Sequence, residues 1–69
     1  SRFLPYAYMR RAASCFNLKQ YDKTVSDYAA VIQKFPTHPA AQQVLLPLQE
    51  ALGLANRSDE FDQYLSAFK

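Results

Sequence analysis

This chain of 69 residues has one cysteine, one histidine, one glycine and no tryptophan. A single cysteine excludes an internal disulfide, and with no His/Cys cluster there is nothing to hold a structural metal. The lone glycine, Gly53, rules out a glycine-rich phosphate loop. No apolar run approaches the roughly 18–20 residues of a membrane span, and no signal peptide is visible. Strong charge of one sign is also lacking, since the formal net charge is only +2.

Apolar surface is plentiful. Hydrophobic residues make up 49% of the chain, with five tyrosines and five phenylalanines among them. A chain this short buries only roughly 60% of its unfolded surface and is marginal without staples or partners. The composition therefore points to an oligomer or to a piece of a longer protein, and a start at Ser1 fits a fragment or a processed product. The charge is uneven. Residues 1–38 carry Arg2, Arg10, Arg11, Lys19, Lys23 and Lys34 against Asp22 and Asp27, whereas residues 39–69 carry Arg57 and Lys69 against Glu50, Asp59, Glu60 and Asp62. Opposite halves favour head-to-tail packing of copies; solvated outer faces are the plainer expectation.

The organising stretch is Tyr21 to Pro36. Tyr21, Val25, Tyr28, Ile32 and Phe35 are spaced four, three, four, three, which makes one stripe along a helix. Pro36 ends it, because proline cannot donate the next backbone bond and biases its predecessor away from helix. Burying one such stripe cannot offset the backbone entropy of ordering the segment, so this helix requires a partner on each side. Residues 5–19 read as the first partner, with Pro5 in the first turn and a face of Tyr8, Ala12, Cys15 and Leu18 or Lys19, flanked by Met9 and Phe16. A short connection from Asn17 to Gln20 makes the pair antiparallel.

Thr37-His38-Pro39 reads as a turn and a new start, with Thr37 or His38 as cap. A third helix follows through Ala41, Val44, Leu45, Leu48 and Leu52, kinked at Pro47 and ended by Gly53 as C-cap. Asn56-Arg57-Ser58 is a loop, and Ser58 caps a last helix whose apolar face is Phe61, Tyr64, Leu65 and Phe68. Asp59 and Glu60 lie where the helix dipole favours negative charge. The expected fold is all-α, built of two antiparallel helical hairpins, in a single domain over 1–69.

Two successive hairpins invite a repeat comparison. Residues 5–38 resemble a tetratricopeptide repeat. Tyr8 matches the first-helix aromatic, Ala12 the small crossing residue, Tyr21-Asp22 the opening of the second helix, Tyr28 its aromatic and Pro36 the closing proline. Arg11 departs from the usual Leu, Cys15 from an aromatic (which Phe16 replaces), and Thr24 and Val31 from small residues. Residues 39–69 look like a second, degenerate repeat with a capping character, in which Leu46 takes a small-residue position. VIQKFPTHPAAQ also resembles tandem repeats of Gram-negative envelope-associated proteins; periplasm, cell envelope and cytoplasm stay open.

The resemblance implies a stacked α-solenoid fragment that works as a protein-interaction or assembly scaffold and performs no catalysis. It implies a concave groove for a peptide or partner helix at Tyr6, Met9, Ala13, Phe16 and Asn17, with Gln43 and Glu50 from the degenerate repeat. The expected partner is a protein, either further repeats, a second copy or a foreign segment, and no cofactor or metal is expected. Met9 and Ala13 stand where a carboxylate clamp for acidic chaperone tails would need Lys and Asn. The alternative is a helical-repeat RNA binder using Arg10 and Arg11 near Tyr6 and Tyr8. Two arginines make a small footprint and the second half is acidic, so nucleic acid is the weaker reading. Cys15 and His38 would have to touch to act as nucleophile and base, yet they fall in a hairpin interior and an inter-repeat turn.

Overall fold

The computed structural model describes residues 4–66. Among them the chain is all-helical, with no strand: α1 (Leu4–Asn17), α2 (Tyr21–Lys34), α3 (Pro39–Gln43), α4 (Leu45–Leu54), a 3₁₀ turn (Ser58–Glu60) and α5 (Phe61–Leu65).

The first hairpin closes in three residues because Lys19 adopts a left-handed conformation, φ 62°. The Gln20 N–H then donates to the Cys15 carbonyl at 2.8 Å and the Lys19 N–H to that of Phe16 at 2.9 Å. These are the two bonds of a Schellman ending, which satisfies carbonyls the helix leaves over. Contacts pair Phe16 with Tyr21, Ala12 with Thr24 and Arg11 with Asp27. They step backwards along α1 as they step forwards along α2, so the helices are antiparallel. At the crossing Ala12 is fully buried. The buried Thr24 hydroxyl donates to the Gln20 carbonyl at 3.1 Å and lies 3.3 Å from that of Ala12. Thr24 thus fits where a small residue was expected, because its hydroxyl finds a backbone acceptor.

The core lies on α2, which has α1 on one side and α4 on the other. Val25, Tyr28, Val31 and Ile32 of α2 meet Ala12, Ala40, Val44, Leu48, Ala51 and Leu52, with Phe61 and Tyr64 packed at the edge. Covered on two sides, α2 buries more than the single expected stripe: Val31 and Thr24 are fully buried, whereas Tyr21 and Phe35 at the stripe's ends are only half-buried. Leu18, expected on the buried face of the first helix, is 69% exposed, because α1 ends at Asn17 and the turn carries Leu18 outward.

His38 caps α3: its Nδ1 accepts the Ala40 N–H at 3.0 Å, with Pro39 in the first turn. The expected single third helix kinked at Pro47 is instead two helices broken at Val44 (φ −84°, ψ −6°). Proline acts one turn ahead of itself. Pro47 offers no N–H to the Gln43 carbonyl and its ring crowds that carbonyl, so the ladder yields before the proline. Gly53 is not the C-cap either. It lies inside α4, and Asn56 (φ 61°) makes the left-handed turn. The Arg57 N–H donates to the Leu52 carbonyl at 2.7 Å and the Asn56 N–H to that of Gly53 at 3.2 Å, a second Schellman ending. Ser58 makes no capping bond. The segment is held by Arg57, whose guanidinium bonds Glu60 at 2.7 and 2.8 Å and reaches Asp22 of α2 at 3.1 Å. These carboxylates push the Arg57 guanidinium upward from its usual value. Phe68 lies outside the described residues.

A groove between the first and fourth helices

Tyr6, Met9, Ala13 and Phe16 recur along α1 at three- and four-residue steps, and Asn17 lies four residues after Ala13, so they share one stripe. Each element of the second hairpin that faces this stripe is placed by packing against α2. The break at Val44 sets the direction of α4, and Leu48, Ala51 and Leu52 anchor it in the core. Glu50, between these anchors, is exposed.

Ala13, Phe16 and Asn17 of α1 converge with Pro47 and Glu50 of α4 around a pocket of about 150 Å³, and Tyr28 of α2 also lines it. Tyr28 is only 7% exposed. Burial alone pushes its phenol above the usual value, with no hydrogen bond contributing. Its hydroxyl has no hydrogen-bond partner among the described residues, yet it is not sealed from the surface. Phe16 leans edge-on against Tyr21, ring centres 5.6 Å apart.

The remaining residues of the expected groove do not reach this pocket. Tyr6 stacks edge-to-face on His38 at 5.5 Å and is 47% exposed. Met9 and Phe16, also expected along the groove, are not freely exposed. Both are half-buried and packed against the core, because the second hairpin lies against this side of α1. Gln43 is exposed on α3, next to the helix break. Tyr28, read as core from its spacing, is buried in the core and also lines this pocket, and Pro47, read as a kink, lines it as well. Ala13 was the available signal, because a small residue on α1 leaves open the space above α2.

A larger concavity of about 520 Å³, lined by Tyr6, Ala7, Arg10, Arg11 and Ser14, is bordered by α1 alone. No second element among the described residues lines it, so it offers less to a ligand than the smaller pocket. Arg11 is in any case engaged: it forms a two-bond fork with Asp27 and lies over the Tyr8 ring at 5.5 Å. Half-buried Cys15 and His38 do not meet, since His38 packs on Tyr6, well before Cys15 on α1. Among the described residues no three His, Cys, Asp or Glu side chains gather as a metal site. No described helix is long and apolar enough to cross a membrane. Compared with family models, curated proteins and solved structures, the chain matches none of them.

Proposed function

We propose that this chain is a tetratricopeptide-type protein-interaction module whose groove between α1 and α4 receives a peptide or a partner helix. One observation carries the reading. Both hairpins contribute to a single pocket, which gathers Ala13, Phe16, Asn17 and Glu50 with the largely buried Tyr28. Apolar walls with a few convergent polar groups are what recognition sites have in common, and small, half-buried and aromatic residues fit an amphipathic segment laid along a groove. The chemistry for catalysis is not assembled around this pocket. Against the RNA-binding alternative, Arg11 is committed to Asp27, which leaves Arg10 as the basic residue of that patch with no ion pair among the described residues.

A photo-crosslinking residue tests the proposal. It is placed at Asn17, exposed on the groove rim, and as control at Ser26, exposed on α2 away from it. Protein adducts formed at Asn17, absent at Ser26 and lost when Ala13→Trp fills the groove, are the expected result. Equal adducts at both positions, or adducts with nucleic acid, would sink the proposal.

A further inference from the structure

The pocket between α1 and α4 is specific enough in size and charge to describe what enters it. Its volume is about 150 Å³. That is close to an apolar cavity that takes up benzene, about 150 Å³, and below the roughly 300–1,000 Å³ of small-molecule sites. It holds one side chain and is too small for a cofactor. Ala13, Phe16 and Pro47 supply apolar walls, so an aliphatic or similar apolar side chain gains most by leaving water there.

Two polar groups then orient the occupant. Glu50 is the one charged residue lining the pocket, and it enters no ion pair among the described residues. Among the described residues, the cations that do pair, Arg11 and Arg57, are held by other carboxylates. Tyr28 is the second group. A nine-tenths buried tyrosine ordinarily finds a partner for its hydroxyl, yet this one has none among the described residues and opens to the surface.

We infer that the groove selects a basic-aliphatic segment: one apolar side chain fills the pocket, a backbone or side-chain group hydrogen-bonds the Tyr28 hydroxyl, and a neighbouring Lys or Arg meets Glu50. The inference rests on the reading of the groove as a protein-binding surface. It opposes the acidic chaperone tail as an occupant, since Glu50 repels a carboxylate.

A display library of short random peptides, selected on the immobilised chain and followed by fluorescence anisotropy of the winners, tests it. The expected winners carry an aliphatic residue with Lys or Arg within one helical turn. Their affinity falls about 1.5-fold to fivefold with Glu50→Gln, the range of an exposed ion pair, and further with Glu50→Lys. Tyr28→Phe weakens them about twofold to tenfold, as one net hydrogen bond allows, while circular dichroism stays unchanged. Winners that are uncharged or acidic and ignore both Glu50 variants, yet still lose binding with Ala13→Trp, overturn the inference and leave the groove reading standing. Winners indifferent to Ala13→Trp, or none at all, overturn both.

Discussion

Arg11 and Asp27 fasten the first hairpin through two parallel hydrogen bonds, Nε to Oδ2 at 2.9 Å and Nη2 to Oδ1 at 2.8 Å. The pair is lopsided. The Asp27 side chain is 10% exposed while that of Arg11 is 64% exposed. The hydrogen bond and charge of Asp27 raise the Arg11 guanidinium further above its usual value. The planar fork matches a carboxylate in a way lysine cannot reproduce.

Removing the two partners therefore has unequal consequences. Arg11→Ala leaves a buried carboxylate without its partner, whereas Asp27→Ala leaves a cation that water already solvates. Urea titration should place the Arg11→Ala midpoint below that of Asp27→Ala, with Arg11→Lys between Arg11→Ala and the parent chain. In an Asp27→Ala background, Arg11→Ala should change little. Additive losses in the double variant would show that the two side chains stabilise the hairpin independently.

Much of the fold can be read from residue spacing because helices that bury a face must repeat it. Val25, Tyr28 and Ile32 fell on the core at their three-four spacing, and Pro36, His38 and Pro39 marked the inter-hairpin turn through local chemistry alone. What could not be read depended on partners distant in sequence or on backbone choices a side chain does not advertise. Lys19 and Asn56 take left-handed conformations that a glycine would signal, so the visible Gly53 was the wrong marker. The Arg11–Asp27 fork spans the hairpin, and no periodicity reports it. Ala13, Phe16, Asn17 and Glu50, named from the sequence as groove positions, all line one pocket. Tyr6, Met9 and Gln43 belong to the same stripes but not to the pocket, because a stripe is longer than the hollow a helix break creates.

Lys19 stands at φ 62°, a region that costs an ordinary residue about 1–2 kcal/mol. Lys19→Gly should raise stability by about 1 kcal/mol, net of the extra freedom glycine has when unfolded. For a domain of this size that is roughly 4–8 °C in Tm. Asn56→Gly should gain only a few tenths of a kcal/mol, since Asn tolerates this region. Thermal melts showing no gain for Lys19→Gly would mean that the lysine side chain contributes an interaction of its own.

Tyr28 separates size from polarity. Tyr28→Ala removes a core ring and should cost about 3–5 kcal/mol, whereas Tyr28→Phe should lie within about 1 kcal/mol of the parent chain, because the hydroxyl lost has no partner among the described residues. Burial raises the folded phenol above the ordinary value of 10.0. The tyrosine contribution is thus complete below that value, and it falls as pH rises through the folded one, because the unfolded chain ionises first. Tyr28→Phe should remove this alkaline loss. A Phe variant as unstable as the Ala variant would place a hidden hydrogen bond at the hydroxyl.

Glu60 supplies an acid counterpart. The Arg57 hydrogen bond holds its carboxyl below the ordinary value of 4.5. A depressed folded value means that the stabilisation is fully present above the unfolded value and is lost as pH falls through the folded one. Urea midpoints should drop through that acid window in the parent chain and drop less with Arg57→Gln, after subtraction of the other carboxylates. Parallel curves for the two chains would mean that the exposed fork adds nothing measurable, as many surface pairs do.

Pro47 links the break in the backbone to the shape of the groove. It is the third residue of α4, and the first turn of a helix leaves its N–H groups unbonded in any case. The proline therefore costs far less there than the ~3 kcal/mol of a helix interior. Pro47→Ala restores a donor for the Gln43 carbonyl and relieves the crowding that holds the break at Val44. The substituted chain should join α3 and α4 into one helix, read as a rise in ellipticity at 222 nm, with stability unchanged or slightly higher. Ala40, Val44, Leu48 and Leu52 recur at four-residue steps, so a continuous helix can keep them all in the core. The groove should suffer instead. Without the pyrrolidine wall, and with α4 turned relative to Ala13 and Phe16, a groove-bound peptide should bind more weakly to a chain that is no less folded. A Pro47→Ala chain that keeps both its helix break and its peptide affinity would show that packing against α2, and not the proline, shapes the pocket.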